Sequence, residues 1–325
     1  MIVDLPSSTS SAVNKKLIEL RERGGVMALG RVLTLVIVTD DGAEIESAIE
    51  AANSASREHP CRILVLARGA RRAAPRLDAQ IRVGGDAGAR EVVVLRGYGA
   101  LAGDEAGAAM VTPLLLPDAP VVAWWPTEAP VEPANDAIGK LATRRITDAL
   151  SARNPMKAFE QRRAHYVAGD TDLTWTRLTS WRALLAAALD HPPYEPVTAA
   201  LVVGEAVSPS TELMAGWLAA RLGVRVKRSR AESGHGLVSV RLDRPSGPIE
   251  LIRPDGKIGS LRQPGQPERL VALARREVPD CLAEELRRLD PDEIYRSALG
   301  AVGQVARGRT PVRVPPLQSA AGSLP

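Results

Sequence analysis

The sequence predicts an α/β protein: an open, largely parallel sheet with flanking helices, joined to a smaller α+β second domain. Three observations carry this. RVLTLVIVT at 31–39 and CRILVLA at 61–67 are nearly unbroken apolar, β-branched runs, the pattern of strands covered on both faces. Between them Ile45, Ala48, Ile49 and Ala52 recur at helical spacing, so the segment reads as strand, helix, strand, which favours parallel pairing and a right-handed crossover. The chain has 325 residues, 45% hydrophobic and 25% charged, which suits two folded domains.

Taken in order, residues 10–23 read as a helix capped by Ser10 or Ser11 and stopped by Gly24-Gly25. Asp40-Asp41-Gly42 ends the first strand, and His59-Pro60 ends the helix after it. Residues 79–83 alternate as a half-exposed strand, and 91–96 form another buried one. A Gly/Ala-rich helix or loop spans 99–111, Pro117-Asp118 turns the chain, and 121–125 is a strand. Residues 135–142 look helical, 144–150 suit a short strand, and 155–166 and 174–189 suit two helices. The second of these carries an apolar stripe of Leu178, Trp181, Leu184, Leu185 and Leu189.

HPPYEP at 191–196 is the strongest boundary signal, so the first domain is expected over 1–190 and the second over 191–306. The second opens with a strand at 197–203 and a helix over 212–222, capped by Ser210 or Thr211 and stopped by Gly223. VRVKRSR, LVSVRLD, PIELIRP and KIGSLRQ then read as four short strands, followed by helices near 267–276, 281–289 and 291–304. Residues 307–325 are Pro- and Ser-rich without an acid, the composition of a disordered tail.

Composition narrows the class. No run of 18 apolar residues exists and the N-terminus lacks the pattern of a secretory signal, so a cytoplasmic protein without a membrane span is expected. Two cysteines, Cys61 and Cys281, exclude a disulfide scaffold or Cys-rich zinc module. The net charge of +4 resides after residue 190, where 19 Lys+Arg face 15 Asp+Glu. A basic strand face at 225–230 (Arg225, Lys227, Arg228, Arg230) could meet phosphates, but it has no aromatic for base stacking and reads better as a charged edge strand.

Catalytic motifs are sparse. The strand–helix junction Thr39-Asp40-Asp41-Gly42 carries two acids where a dinucleotide fold needs G-x-G-x-x-G, and GGDAG at 84–88 reads as a turn. There is no Walker A sequence and no G-x-S-x-G elbow. Asp40 and Asp41 could hold a metal but read better as helix caps, and four scattered His form no zinc set. A sugar-phosphate- or nucleotide-utilising enzyme would use these two Asp for a metal and Arg144 or Arg145 for phosphate. Cys281 follows Asp280, an expected N-cap, so it is the candidate redox thiol at a helix N-terminus.

Aromatic residues are few: five Trp, four Tyr and one Phe. Four of the Trp fall between 124 and 181. Adjacent Trp124 and Trp125 must point to opposite faces of a strand. Trp and Arg together serve as interface anchors, so Trp124, Trp125, Arg177, Trp181 and Arg182 form the candidate docking set, against the alternative that the indoles fill a core short of Phe.

HPCRILVL, PDAPVVAWWP, RRITDAL and DLTWTRLTSWR, in this order, resemble the glucose-6-phosphate dehydrogenase assembly protein family (OpcA), actinobacterial type. The resemblance runs from the first helix to about residue 305. It implies a non-catalytic protein without a cofactor of its own that assembles or allosterically activates glucose-6-phosphate dehydrogenase, the NADP-linked entry to the oxidative pentose phosphate pathway. In cyanobacterial relatives activation is tied to thiol redox state, for which this sequence offers only Cys61 and Cys281.

Overall fold

The computed structural model describes residues 1–24, 32–84 and 91–314. The turn expected at 84–88 lies, apart from Gly84, outside these residues, as does the tail beyond 314. The chain divides into two compact units. The first takes residues 1–153, 164–173 and 277–291, and the second takes the rest.

The chain begins with β1 (Ile2–Leu5), α1 (Ser10–Gly24), β2 (Leu33–Asp40), α2 (Glu44–Ala55) and β3 (Cys61–Arg68). It continues through β4 (Arg76–Val83), β5 (Glu91–Tyr98), α3 (Asp104–Val111), β6 (Val121–Trp124) and β7 (Arg144–Thr147). Then come α4 (Pro155–Ala164), β8 (Asp170–Asp172), α5 (Leu173–Thr176), α6 (Thr179–Leu189), β9 (Ala199–Gly204) and α7 (Pro209–Leu222). After these follow β10 (Arg225–Arg230), β11 (Leu237–Asp243), β12 (Ile249–Ile252), β13 (Ile258–Arg262) and β14 (Arg269–Ala272). The order closes with α8 (Val278–Arg287), α9 (Glu293–Ala301) and β15 (Ala306–Arg307).

In the first unit eight strands form one sheet, ordered β1-β4-β5-β3-β2-β6-β7-β8. Six of them, from β5 to β8, pair in parallel, and β4 and β1 continue antiparallel at one edge. The period-2 pattern decides which face each residue covers. Leu35 and Ile37 of β2 and Trp124 of β6 join a core with Ile45, Ile49, Leu282 and Leu286 from α2 and α8. Val36, Val38, Ala123 and Trp125 join the opposite core with Val13 and Leu17 of α1 and Met110 of α3. The adjacent tryptophans thus face opposite ways, as alternation requires. α8 packs on α2 although 222 residues separate Ala55 from Val278 in the chain; full burial of Leu282 and Leu286 contributes about 1.5–3 kcal/mol each.

The second unit holds a seven-stranded sheet, ordered β14-β13-β12-β11-β9-β10-β15. Strands β14 to β9 are antiparallel neighbours, while β9, β10 and β15 run parallel. Ser208 caps α7, its hydroxyl accepting from Thr211 N at 3.2 Å, because Pro209 takes the first helical position, where no N–H is needed. The capping role expected for Ser210 or Thr211 therefore falls two residues earlier. Gly223, at φ +63°, supplies the left-handed C-cap.

Several sequence expectations need correction. Residues 267–276 are not helical: Gly265, at φ +70°, turns the chain so that β14 pairs antiparallel with β13, Leu261 opposite Arg269. Pairing in the sheet overrides local helix propensity. In place of the helix expected over 135–142, two short 3-10 turns occur, at Pro133–Asn135 and Gly139–Leu141. The expected helix at 174–189 is broken after Thr176, in a stretch with Thr at 174, 176 and 179, residues that compete for backbone hydrogen bonds. The basic strand at 225–230 is no edge, since β10 lies between β9 and β15, and buried Arg228 pairs with Glu212 at 3.0 Å. In the segment expected to be a disordered tail, Gly308 N donates to Arg228 O (2.7 Å) and Val312 N to Arg230 O (2.8 Å).

Candidate functional site

The C-terminal ends of parallel strands are where α/β sheets place their ligands, next to the point at which strand order reverses. Here that point lies between β2 and β6, since the chain moves from β2 to β3 on one side and later to β6 on the other. The charged groups at these ends are paired among themselves. Asp40 and Arg68 meet at 3.2 Å, and Arg68 also approaches Asp104 at 3.7 Å. Asp41 accepts from Arg96 (3.2 Å) and from the Tyr98 hydroxyl (3.0 Å). Burial first, then the carboxylate of Asp41, pushes the Tyr98 phenol above its ordinary value. Asp136 is pushed up by burial, with the charge of Asp104 adding to it, although the Ile138 and Gly139 N–H groups hold its carboxylate.

Asp40 and Asp41 therefore act as ion-pair partners. Neither caps α2, whose N-cap is Ala43 without a side-chain bond. Among the described residues no group of three or more His, Cys, Asp or Glu is arranged to hold a metal. Arg144 and Arg145 are likewise committed inward. Arg144 pairs with Glu285 and donates to Asp290 O at 2.8 Å, and Arg145 pairs with Asp170 at 2.5 Å.

Beside this point, on the α2 face of the sheet, lies a cavity of about 780 Å³. Its wall comes from α2 (Glu44, Glu46, Glu50, Asn53), from Trp124, Pro126 and Thr127 after β6, and from Glu277, Val278 and Pro279 at the start of α8. Glu44 and Thr127 meet across it at 3.1 Å. Arg82 makes a two-pronged pair with Glu46 (2.6 and 2.7 Å), and these bonds hold the Glu46 carboxyl below its ordinary range. Trp124 is 1% exposed, and its indole Nε1 has no hydrogen-bond partner; the Oδ1 of Asn53 is buried and equally unpartnered.

Of the candidate docking residues, Trp124 lines this cavity, whereas Trp125, Arg177, Trp181 and Arg182 do not. Trp125 and Trp181 are fully buried. In the second unit the Arg182 guanidinium stacks 3.6 Å from the Trp175 ring, which lies 5.7 Å from Tyr295 and donates to Asp292 at 2.8 Å. Asp292 also caps α9 through Ile294 N and Tyr295 N. Arg177 is half-buried. Arg253 sits 5.1 Å from the Trp181 ring.

Cys281 differs from its expected setting. Glu277 is the N-cap of α8 and Asp280 lies within the first turn, because Pro279 presets a helical start three residues sooner. Cys281 is then the fourth helical residue and fully buried, as is Cys61, and both belong to the α2–α8 core of the first unit. Burial removes the solvent access that reactive thiols need.

Asn53, Glu50 and Glu277 were not singled out by sequence reasoning. A partial signal existed: Glu46, Glu50 and Asn53 follow helical i, i+4, i+7 spacing and so share one polar face of α2. Nothing local linked that face to residue 277.

Fold and surface together describe a two-unit α/β protein with an acidic groove on its first unit. Comparison with known proteins gives the family. Residues 52–164 match the "Glucose-6-phosphate dehydrogenase subunit N-terminal domain" and residues 168–299 match the corresponding C-terminal domain. The chain belongs to the glucose-6-phosphate dehydrogenase assembly protein family, OpcA. An OxPP cycle protein OpcA from Synechococcus elongatus is 32% identical over 155 residues, 44% of this chain and 34% of that protein, so the match spans about a third of the relative's length. Among solved structures, a 3-ketoreductase from Actinomadura kijaniata covers 87% of this chain and 100% of its own at 9% identity and a TM-score of 0.40. An oxidoreductase from Sinorhizobium meliloti covers 82% and 86% at 11% identity and 0.36. Likenesses this distant carry no argument about chemistry. No helix among the described residues is long and apolar enough to cross a membrane.

Proposed function

We propose that this protein is a non-catalytic, cytoplasmic partner that assembles or allosterically activates glucose-6-phosphate dehydrogenase, with no cofactor of its own and with NADP used by the enzyme. The observation that carries this reading is the match of both family domains in order over residues 52–299. The state of the charged groups at the strand ends supports it. Arg144 and Arg145, which a sugar-phosphate enzyme would turn toward phosphate, are buried and held by Glu285 and Asp170.

An activator works by binding one state of its target more tightly than another, so its effect cannot exceed that difference in affinity. The test is the rate of the cognate dehydrogenase across glucose-6-phosphate concentrations, with and without this protein, together with size-exclusion chromatography of the mixture. A lower apparent KM or higher kcat and a co-eluting complex are expected. Unchanged kinetics and separate elution would overturn the reading.

A further inference from the structure

We propose that the groove walled by α2, the end of β6 and the start of α8 receives an extended, basic segment of the partner enzyme; this rests on the function proposed above. Three features of the groove converge on such an occupant.

The first is hydrogen-bonding capacity left unused. Trp124 presents a buried N–H donor and Asn53 a buried carbonyl acceptor, neither with a partner, on the wall of one cavity. Leaving a buried polar group unpaired costs on the order of 1–3 kcal/mol, so such groups ordinarily find partners. An extended main chain carries both a C=O for the indole and an N–H for the amide, as strand-like ligands do.

Charge is the second. Among the described residues that line the groove, the cations beside Glu44, Glu46, Glu50 and Glu277 are Arg57 and Arg82, and Arg82 is occupied by Glu46. Glu50 and Glu277 are exposed at the rim. An acidic rim draws Lys or Arg side chains and repels phosphorylated or carboxylate ligands. The third is the apolar floor. Ala48, Ile49, Ala51, Val278 and Pro279 suit the aliphatic stem of Lys or Arg.

The test uses the full chain and its cognate dehydrogenase, with affinity measured by biolayer interferometry at low and moderate salt. Glu50→Lys combined with Glu277→Lys, at two exposed positions and with retention of the fold checked by circular dichroism, should raise Kd about tenfold or more and flatten the salt dependence. Trp124→Phe, which removes the N–H and part of the indole, should raise Kd several-fold while circular dichroism shows the fold retained. Glu232→Lys, an exposed reversal in the second unit, should leave Kd unchanged. A normal complex with the double reversal would overturn the groove assignment and leave the assembly function standing. No complex with the unaltered protein would overturn both. Equal weakening by Glu232→Lys would overturn the assignment by reducing it to net charge. A groove whose reversal abolishes self-association but spares the dehydrogenase would overturn it in favour of a second copy of this chain.

Discussion

The two units bury arginine in different ways. In the first, among the described residues, three buried guanidiniums each meet a buried carboxylate: Arg62 with Glu91 at 3.0 Å, Arg145 with Asp170 at 2.5 Å, and Arg144 with Glu285. In the second, Glu212 is shared by buried Arg228 and exposed Arg307, but Arg253 is treated otherwise. Arg253 is 8% exposed, donates to Leu273 O (2.9 Å) and Leu237 O (3.2 Å), and faces the Trp181 ring. Burial pushes its guanidinium down to about 10, with Arg275 adding to the shift, which still leaves it charged at neutral pH. Neutralisation by an acid fixes two elements by opposite charges, so losing one partner strands the other. A cation held by carbonyls and an aromatic face leaves no stranded charge when it is removed.

The largest expected effect breaks that contrast at its strongest pair. Glu285→Gln leaves Arg144 buried without its carboxylate and should cost about 3–5 kcal/mol in the transition of the first unit, read by urea unfolding. Next is Gly216→Ala in the second unit, where an added Cβ would collide with the Ala298 carbonyl oxygen and lie 2.8 Å from Val302 Cγ2. Helices α7 and α9 would have to separate, at about 1–3 kcal/mol, seen in differential scanning calorimetry as a lowered thermal midpoint.

Arg253→Met should cost less than Glu285→Gln, about 1–3 kcal/mol from two stranded carbonyls, partly offset by the desolvation no longer borne. Equal losses for the two variants would show that the contrast has no energetic content. The smallest effect concerns Asp136. Its folded-state value lies above the ordinary one, so the folded protein binds more protons and stability falls as pH rises through that value. Asp136→Asn should therefore raise the thermal midpoint slightly at pH 7, a gain that vanishes below the ordinary Asp value.

How much of this was readable in advance followed from the range of the interactions. The strands at 31–39, 61–67 and 91–96 and the opposed faces of Trp124 and Trp125 follow from side-chain alternation, a property of neighbouring residues. The pair of β1 and β8, four and three residues long, was too short to register as strands, and β14 is made a strand only by its partner β13. The candidate site was less legible still. Trp concentration drew attention to Trp124, but an unpartnered N–H depends on what surrounds it, and the groove gathers residues from 44 to 279. The burial of Cys281 likewise depends on the contact between α8 and α2, which no local pattern announces.

The return of residues 277–291 to the first unit bears on how the protein is made. A ribosome that has released residues 1–173 has delivered all eight strands of the first sheet but not the helix that covers Cys61, Ile49 and Trp124. At about 5–20 residues per second, the roughly hundred residues in between keep that apolar face open for several seconds or more. During that interval the nascent chain offers a surface for chaperones to cover, and slow translation through 174–276 would lengthen the exposure. Expressing the chain only as far as residue 276 would make the interval permanent: the half-covered sheet should collect in inclusion bodies, and supplying 277–325 as a separate fragment should recover part of it.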